Sequence, residues 1–121
     1  MNITNKNFGT YIRELRIKNE IGQRELSKKI GVAPSYLNDI EKNKRSAPKP
    51  TVIKKIALIL KADLDLLNDL AGISKKTIAP DIVEYIEKFP EVVSLLRSMH
   101  NNNIGTEEIN KIKTLINKSK A

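Results

Sequence analysis

Apolar residues recur along this chain at spacings of three and four, and nowhere do they alternate strictly for long enough to build a strand. The periodicity predicts an all-α fold. Phe8, Ile12 and Leu15 mark one face of a first helix that ends near Asn19, before Gly22. A short second helix opens at Gln23 and carries Leu26 and Ile30; Gly31 breaks it, because glycine enters left-handed backbone geometry at no steric cost. A third helix begins at Pro34, whose missing N–H does no harm at the first helical position, and turns Leu37 and Ile40 inward. After Asn43 the stretch KRSAPKP reads as a loop. Pro50 starts a fourth helix with Ile53, Ile56, Ala57 and Leu60 on its face, and Leu64 to Leu70 forms a fifth; Gly72 closes this unit.

The pattern then restarts. Pro80 to Phe89 carries Ile82, Val83 and Ile86; Glu91 to His100 carries Val92, Leu95, Leu96 and Met99; NNNIG is a turn. A last helix starts at Thr106, expected as its N-cap, with Glu107 and Glu108 in the first turn, where the helix dipole favours acids. The expected organisation is a first helical domain over residues 1–72, a linker over 73–79 and a C-terminal helical block over 80–121. Three short helices with few large apolar residues make a marginal core. The second block is therefore expected to pack on the first unit, on its own copy in a dimer, or on another protein.

A chain of 121 residues has room for one compact core and a short appendage, not for a large enzyme fold. With two Phe, three Tyr and no Trp, that core must be aliphatic. The absence of cysteine excludes disulfides and thiolate metal sites. Neither an apolar leader nor a membrane-length apolar run is present, so a soluble cytoplasmic protein is expected, with no membrane partner. One histidine, His100, stands at a helix end, where capping or surface exposure is its ordinary role. No Gly-rich phosphate loop and no metal-ligand spacing occurs, so no enzyme activity, metal or cofactor is expected.

Charge changes the picture more. The net charge is +8, and residues 1–72 hold 14 Lys/Arg against 8 Asp/Glu while 73–121 hold 8 against 6. Lys42, Lys44, Arg45, Lys49, Lys54 and Lys55 fall within 14 residues that include no acid. Such a surplus seeks an anionic partner. Counted from Gln23, a 20-residue unit places apolar residues at Leu26, Ile30, Val32, Leu37 and Ile40, a small Ser27 where two helices must approach, and Gly31 at the turn. Two short helices joined this way cross steeply and leave the outer face of the second unburied, which is a helix-turn-helix.

The segment, with the preceding YIRELR, the PSYLNDIEKNKR run and the downstream IKKIALIL, resembles the lambda-repressor-like group, the Cro and xenobiotic-response-element type of bacterial and phage regulators. The resemblance covers about residues 8–72, five helices, and implies double-stranded DNA as partner. It implies groove-facing positions at Pro34, Ser35, Asn38 and Asp39. Asn38 suits adenine N6/N7, Asp39 either cytosine N4 or a nearby cation, Ser35 either a base or a phosphate, and Pro34 a thymine methyl. Pro34 departs from the long polar residues common there in phage repressors. The resemblance further implies backbone contacts from Gln23, Asn43, Lys44 and Arg45, with Tyr36 at the backbone edge. Asn43 stands where the family commonly has glycine. Arg16 and Glu41 match the family's structural ion pair.

Because the family usually binds inverted repeats as dimers, Val92, Leu95, Leu96, Met99, Ile109, Ile112 and Ile116 are expected at a dimer or partner interface. Three functions follow. The first is a sequence-specific transcriptional regulator, a repressor that overlaps promoters; the second is an antitoxin that also neutralises a toxin through its C-terminal region; the third is a non-specific nucleic-acid-binding or bridging module. The chain is too short to include the self-cleaving domain of larger phage repressors.

Overall fold

The computed structural model describes residues 7–120, and among them every regular element is helical. The chain divides into two compact units at Ala79/Pro80. The first holds α1 (Phe8–Lys18), α2 (Gln23–Ile30), α3 (Pro34–Glu41), α4 (Pro50–Leu60) and α5 (Leu64–Ser74). The second holds α6 (Pro80–Lys88), α7 (Glu91–Asn101) and α8 (Thr106–Ser119).

Local chemistry sets the ends of the first five helices. The Asn7 side chain caps α1 by accepting from the Thr10 N–H at 3.0 Å, and Asp63 caps α5 by accepting from the Asp65 N–H at 2.9 Å. Gly31 ends α2 at φ 77°, and the Val32 N–H returns to the Ser27 carbonyl at 3.0 Å. At the end of α3 the same left-handed place is taken by Asn43, at φ 60°, and the Lys44 N–H closes onto the Asp39 carbonyl at 2.9 Å. Phe8, Ile12, Leu26, Ile30, Leu37, Ile40, Ile53, Ile56, Leu60, Leu67 and Leu70 fill one core, each at most 2% exposed. Burying these side chains supplies the main stabilisation of the unit, at roughly 1.5 to 3 kcal/mol each before entropy is charged.

Three expectations need correction. Gly72 does not close the first unit, which runs on to Ala79; it lies inside α5, buried, where the chain doubles back and the Thr77 N–H donates to the Gly72 carbonyl at 2.7 Å. A Cβ at Gly72 would stand 3.0 Å from the Thr77 carbonyl oxygen, so a small residue is needed for packing rather than for ending the helix. Residues 73–79 fall within the first compact unit rather than between two units: α5 runs on to Ser74, 73–78 are exposed, and Ala79 is 9% exposed. Thr106 is the first residue of α8, not its cap; Gly105 occupies the cap, where its N–H donates to Glu108 Oε2 at 3.0 Å. That bond, with the N–H of Glu108 itself and nearby Lys111, holds the Glu108 carboxyl below its ordinary pKa.

The second unit is built differently. None of α6, α7 and α8 contains a buried residue. Tyr85 and Phe89 pack tilted with ring centroids 5.2 Å apart, yet both remain about half exposed.

The closest backbone approach in the first unit is at Gly9, where a Cβ would overlap the Ile40 carbonyl oxygen and stand 2.6 Å from Asn43 Oδ1. Gly9→Ala is expected to lower stability by about 3 kcal/mol, as overpacking against backbone does. Gly31→Ala, which adds only left-handed strain in open space, is expected to cost about 1 kcal/mol. Urea denaturation of the two variants checks the order.

Candidate nucleic-acid interface

An eight-residue helix turned half inward can offer only a few side chains, and α3 divides cleanly. Leu37, Ile40 and Glu41 face the core; Pro34 and Ser35 are exposed, while Asn38 and Asp39 are half-buried on the outer side. Pro34 opens the helix as its first residue, and no side chain caps that end. The four residues expected to face a groove thus share the face that the core leaves uncovered.

What holds this helix is a chain of polar contacts. Glu41 is 3% exposed. Its carboxylate accepts from Arg16 Nε at 2.8 Å and Nη2 at 3.0 Å, a bidentate pair that ties α1 to the end of α3. Arg16 Nη1 donates to the Ile21 carbonyl at 3.0 Å, fixing the turn before α2. Gln23 Nε2 then donates to Glu41 Oε1 and to Asn38 Oδ1, both at 3.2 Å. The Gln23 side chain, expected on a phosphate, therefore commits its amide hydrogens inside the unit.

The Asn43 side chain is also engaged inside the unit. Its Oδ1 accepts from the Gly9 N–H at 3.2 Å and its Nδ2 donates to Thr10 Oγ1 at 3.4 Å, so the side chain ties the end of α3 to the first turn of α1. Periodicity gave no hint of this clasp; a glycine opposite an asparagine in left-handed geometry was the available signal. Arg45 sits with its guanidinium 5.0 Å from the Tyr36 ring centre and its Nε 4.0 Å from Asp39 Oδ2. Arg45 is largely exposed and Asp39 partly so, so the contact orients more than it stabilises. Lys42 and Lys44 follow α3 directly, and they, Lys49, Lys54 and Lys55 are all exposed.

The residues expected at a partner interface are spread over α7 and α8. Val92 and Met99 are half-buried; Leu95, Leu96, Ile109, Ile112 and Ile116 are 36% to 57% exposed. Ile82, Val83, Tyr85 and Phe89 of the α6 region, Val93 of α7 and Leu115 of α8 are also exposed apolar side chains and were not among the expected residues. His100 is exposed, with Nδ1 3.2 Å from Asn101 Oδ1. Among the described residues no cluster of acids and histidine could hold a metal, and no helix is long and apolar enough to cross a membrane.

The buried pair allows a sharp stability test. Arg16→Met leaves Glu41 without its cation and is expected to cost about 3 to 5 kcal/mol, whereas Arg16→Met combined with Glu41→Leu recovers most of that loss. Equilibrium denaturation of the two variants measures the difference.

Comparison with known proteins agrees with this geometry. The family model described as Helix-turn-helix matches residues 12–67. The HTH-type transcriptional repressor RghR of Bacillus subtilis (strain 168) is 36% identical over 67 residues, which is 55% of this chain and 50% of the repressor. The ImmF control region 10 kDa protein of Bacillus phage phi105 is 34% identical over 62 residues, 51% of this chain and 68% of the phage protein. A chain of the solved SinR–SinI protein complex has the same fold, with a TM-score of 0.50 at 23% identity over 93% of this chain and 97% of its own. The chain spans about half the length of the Bacillus subtilis regulators it matches. With the helix-turn-helix model laid over α1 to α5 and the identity extending across two thirds of the phage protein, this chain belongs to the Cro/C1-type helix-turn-helix family.

Proposed function

We propose that this protein is a sequence-specific double-stranded DNA-binding transcriptional regulator, a repressor that binds an inverted-repeat operator as a dimer. The observation that carries the reading is the outer face of α3, left uncovered by the core and held in place by the Arg16–Glu41–Gln23–Asn38 contacts, together with a run of exposed cations over residues 42–55 that includes no acid. A helix so presented fits the major groove, and its N-terminal side chains reach base edges. Ser35, Asn38 and Asp39 contact bases and Pro34 a thymine methyl; Lys44, Arg45 and the Tyr36 edge contact phosphates. The amides of Gln23 and Asn43 are engaged internally, so the phosphate at the start of α2 is met by backbone N–H groups that no side chain caps. The repressor assignment is supported by the name of the Bacillus subtilis relative, and the relatives are described as regulators rather than enzymes.

Dimerisation is supported by the second unit. Its eleven large apolar side chains that are at least 36% exposed, from Ile82 to Ile116, present on the order of 1,000 Å². That exceeds what monomers ordinarily leave open and matches the roughly 800 Å² each partner contributes to a standard interface. A second copy of the chain supplies the same surface and pairs two recognition helices. An antitoxin would use this surface for a different protein, and a non-specific binder would need no pairing.

Random-duplex selection with the full chain is expected to return a palindrome with half-sites about 34 to 36 Å apart, bound at least ~10³-fold more tightly than a scrambled duplex. Lys44→Ala is expected to weaken all duplexes alike and reduce the salt slope by about one per protomer. By sedimentation the full chain is expected as a dimer and residues 1–79 as a monomer. A full chain that sediments as a monomer, or that binds every duplex equally, contradicts the reading.

A further inference from the structure

Charge is sorted by helix within the C-terminal unit. Residues 80–91, which are α6 and the start of α7, carry Asp81, Glu84, Glu87 and Glu91 against Lys88 alone, whereas residues 109–120 carry Lys111, Lys113, Lys118 and Lys120 and no acid. These charges border the apolar stripes, because residues four apart are neighbours on a helix surface. Asp81 stands four before Tyr85 and Glu87 four after Val83, so a carboxylate borders each side of the α6 stripe. Lys111 stands four before Leu115 and Lys113 four after Ile109, so an ammonium group borders each side of the α8 stripe. Within one chain α6 packs chiefly on α7, and both stripes stay open: Ile82 is 42% and Leu115 67% exposed. Among the described residues no ion pair involves Asp81, Glu87 or Lys113, and Lys111 meets Glu107 of its own helix at 3.5 Å with both side chains exposed.

We propose that two copies of the chain pair by laying α6 of one against α8 of the other, apolar stripe on apolar stripe, with the carboxylates that border α6 beside the ammonium groups that border α8. The inference rests on the dimer reading above and supplies its pairing. A two-fold axis makes this contact twice, α6 on α8 and α8 on α6, so one chain carries both halves of a self-complementary surface. The alternatives repel: α6 on α6 sets acid beside acid, and α8 on α8 sets lysine beside lysine. Burial of the stripes supplies the attraction, and the bordering charges choose which helix lies on which. A different protein would have to bring the same pattern of acids and bases, whereas a second copy already has it.

Charge reversal in the full chain, read by sedimentation over a range of concentrations, tests the pairing. One variant carries Asp81→Lys with Glu87→Lys, the other Lys111→Glu with Lys113→Glu. Each alone is expected to weaken self-association at least about tenfold, since every α6–α8 contact then joins like charges. An equimolar mixture of the two is expected to form a mixed dimer within about threefold of the unaltered affinity, because each α6 again meets an α8 of opposite charge. Raising the salt concentration from about 0.05 to 0.5 M is expected to weaken self-association of the unaltered protein about threefold. That response needs no variant and decides alone if circular dichroism shows that a reversal has unfolded its helix. A dimer that neither reversal weakens, two helical variants that fail to pair when mixed, or an unaltered dimer indifferent to salt overturns the α6–α8 pairing and leaves the dimer reading standing. An unaltered chain that stays monomeric at every concentration overturns both.

Discussion

The contact between Arg16 and Glu41 is the joint on which the presenting surface depends. A carboxylate only 3% exposed is tolerable because its lone pairs are met, by two guanidinium N–H groups and by the Gln23 amide. The same guanidinium reaches the Ile21 carbonyl, so one side chain joins α1, the turn before α2 and the end of α3. Apolar residues of similar volume can replace such a pair without loss of stability. What they cannot supply is direction: a grease contact is indifferent to which end of an amide faces it. The pair orders the donors and acceptors of Gln23 and Asn38, and thereby the face that α3 turns outward.

Around that joint, packing and charge divide the work. The aliphatic core beneath α3 holds its inner face through Leu37 and Ile40 and leaves the rim to cations that have no reason to be buried. Asn43 and Gly9 close the other end of the helix, one by accepting an N–H, the other by having no Cβ. Asp39 is the sole acid on the outer face of α3, and Arg45, stacked over Tyr36, stands within 4.0 Å of it. The one carboxylate on this face is therefore not left without a neighbouring cation.

The second unit obeys a different constraint. Its helices carry amphipathic stripes but too few residues to enclose them, so no residue of α6, α7 or α8 is buried. Such a unit leaves the apolar side of each helix open to solvent, in contrast to the closed aliphatic core of the first.

Helix periodicity, the two opening prolines, the left-handed Gly31 and the cationic run after α3 are properties of neighbours in the chain, and the sequence alone determined them. The family resemblance adds the face of α3 and the Arg16–Glu41 pair, since spacing within a motif carries both. Tertiary structure decided the rest. Gly72 reads as a helix end because glycine usually is one; only the return of Thr77 against it shows a close approach instead. Gln23 and Asn43, which the resemblance places at phosphates, also hydrogen-bond within the unit to partners 15 to 34 residues away in sequence, contacts that only the fold creates. Hydrogen-bond polarity is a relation between groups that the fold brings together, and no local pattern records it.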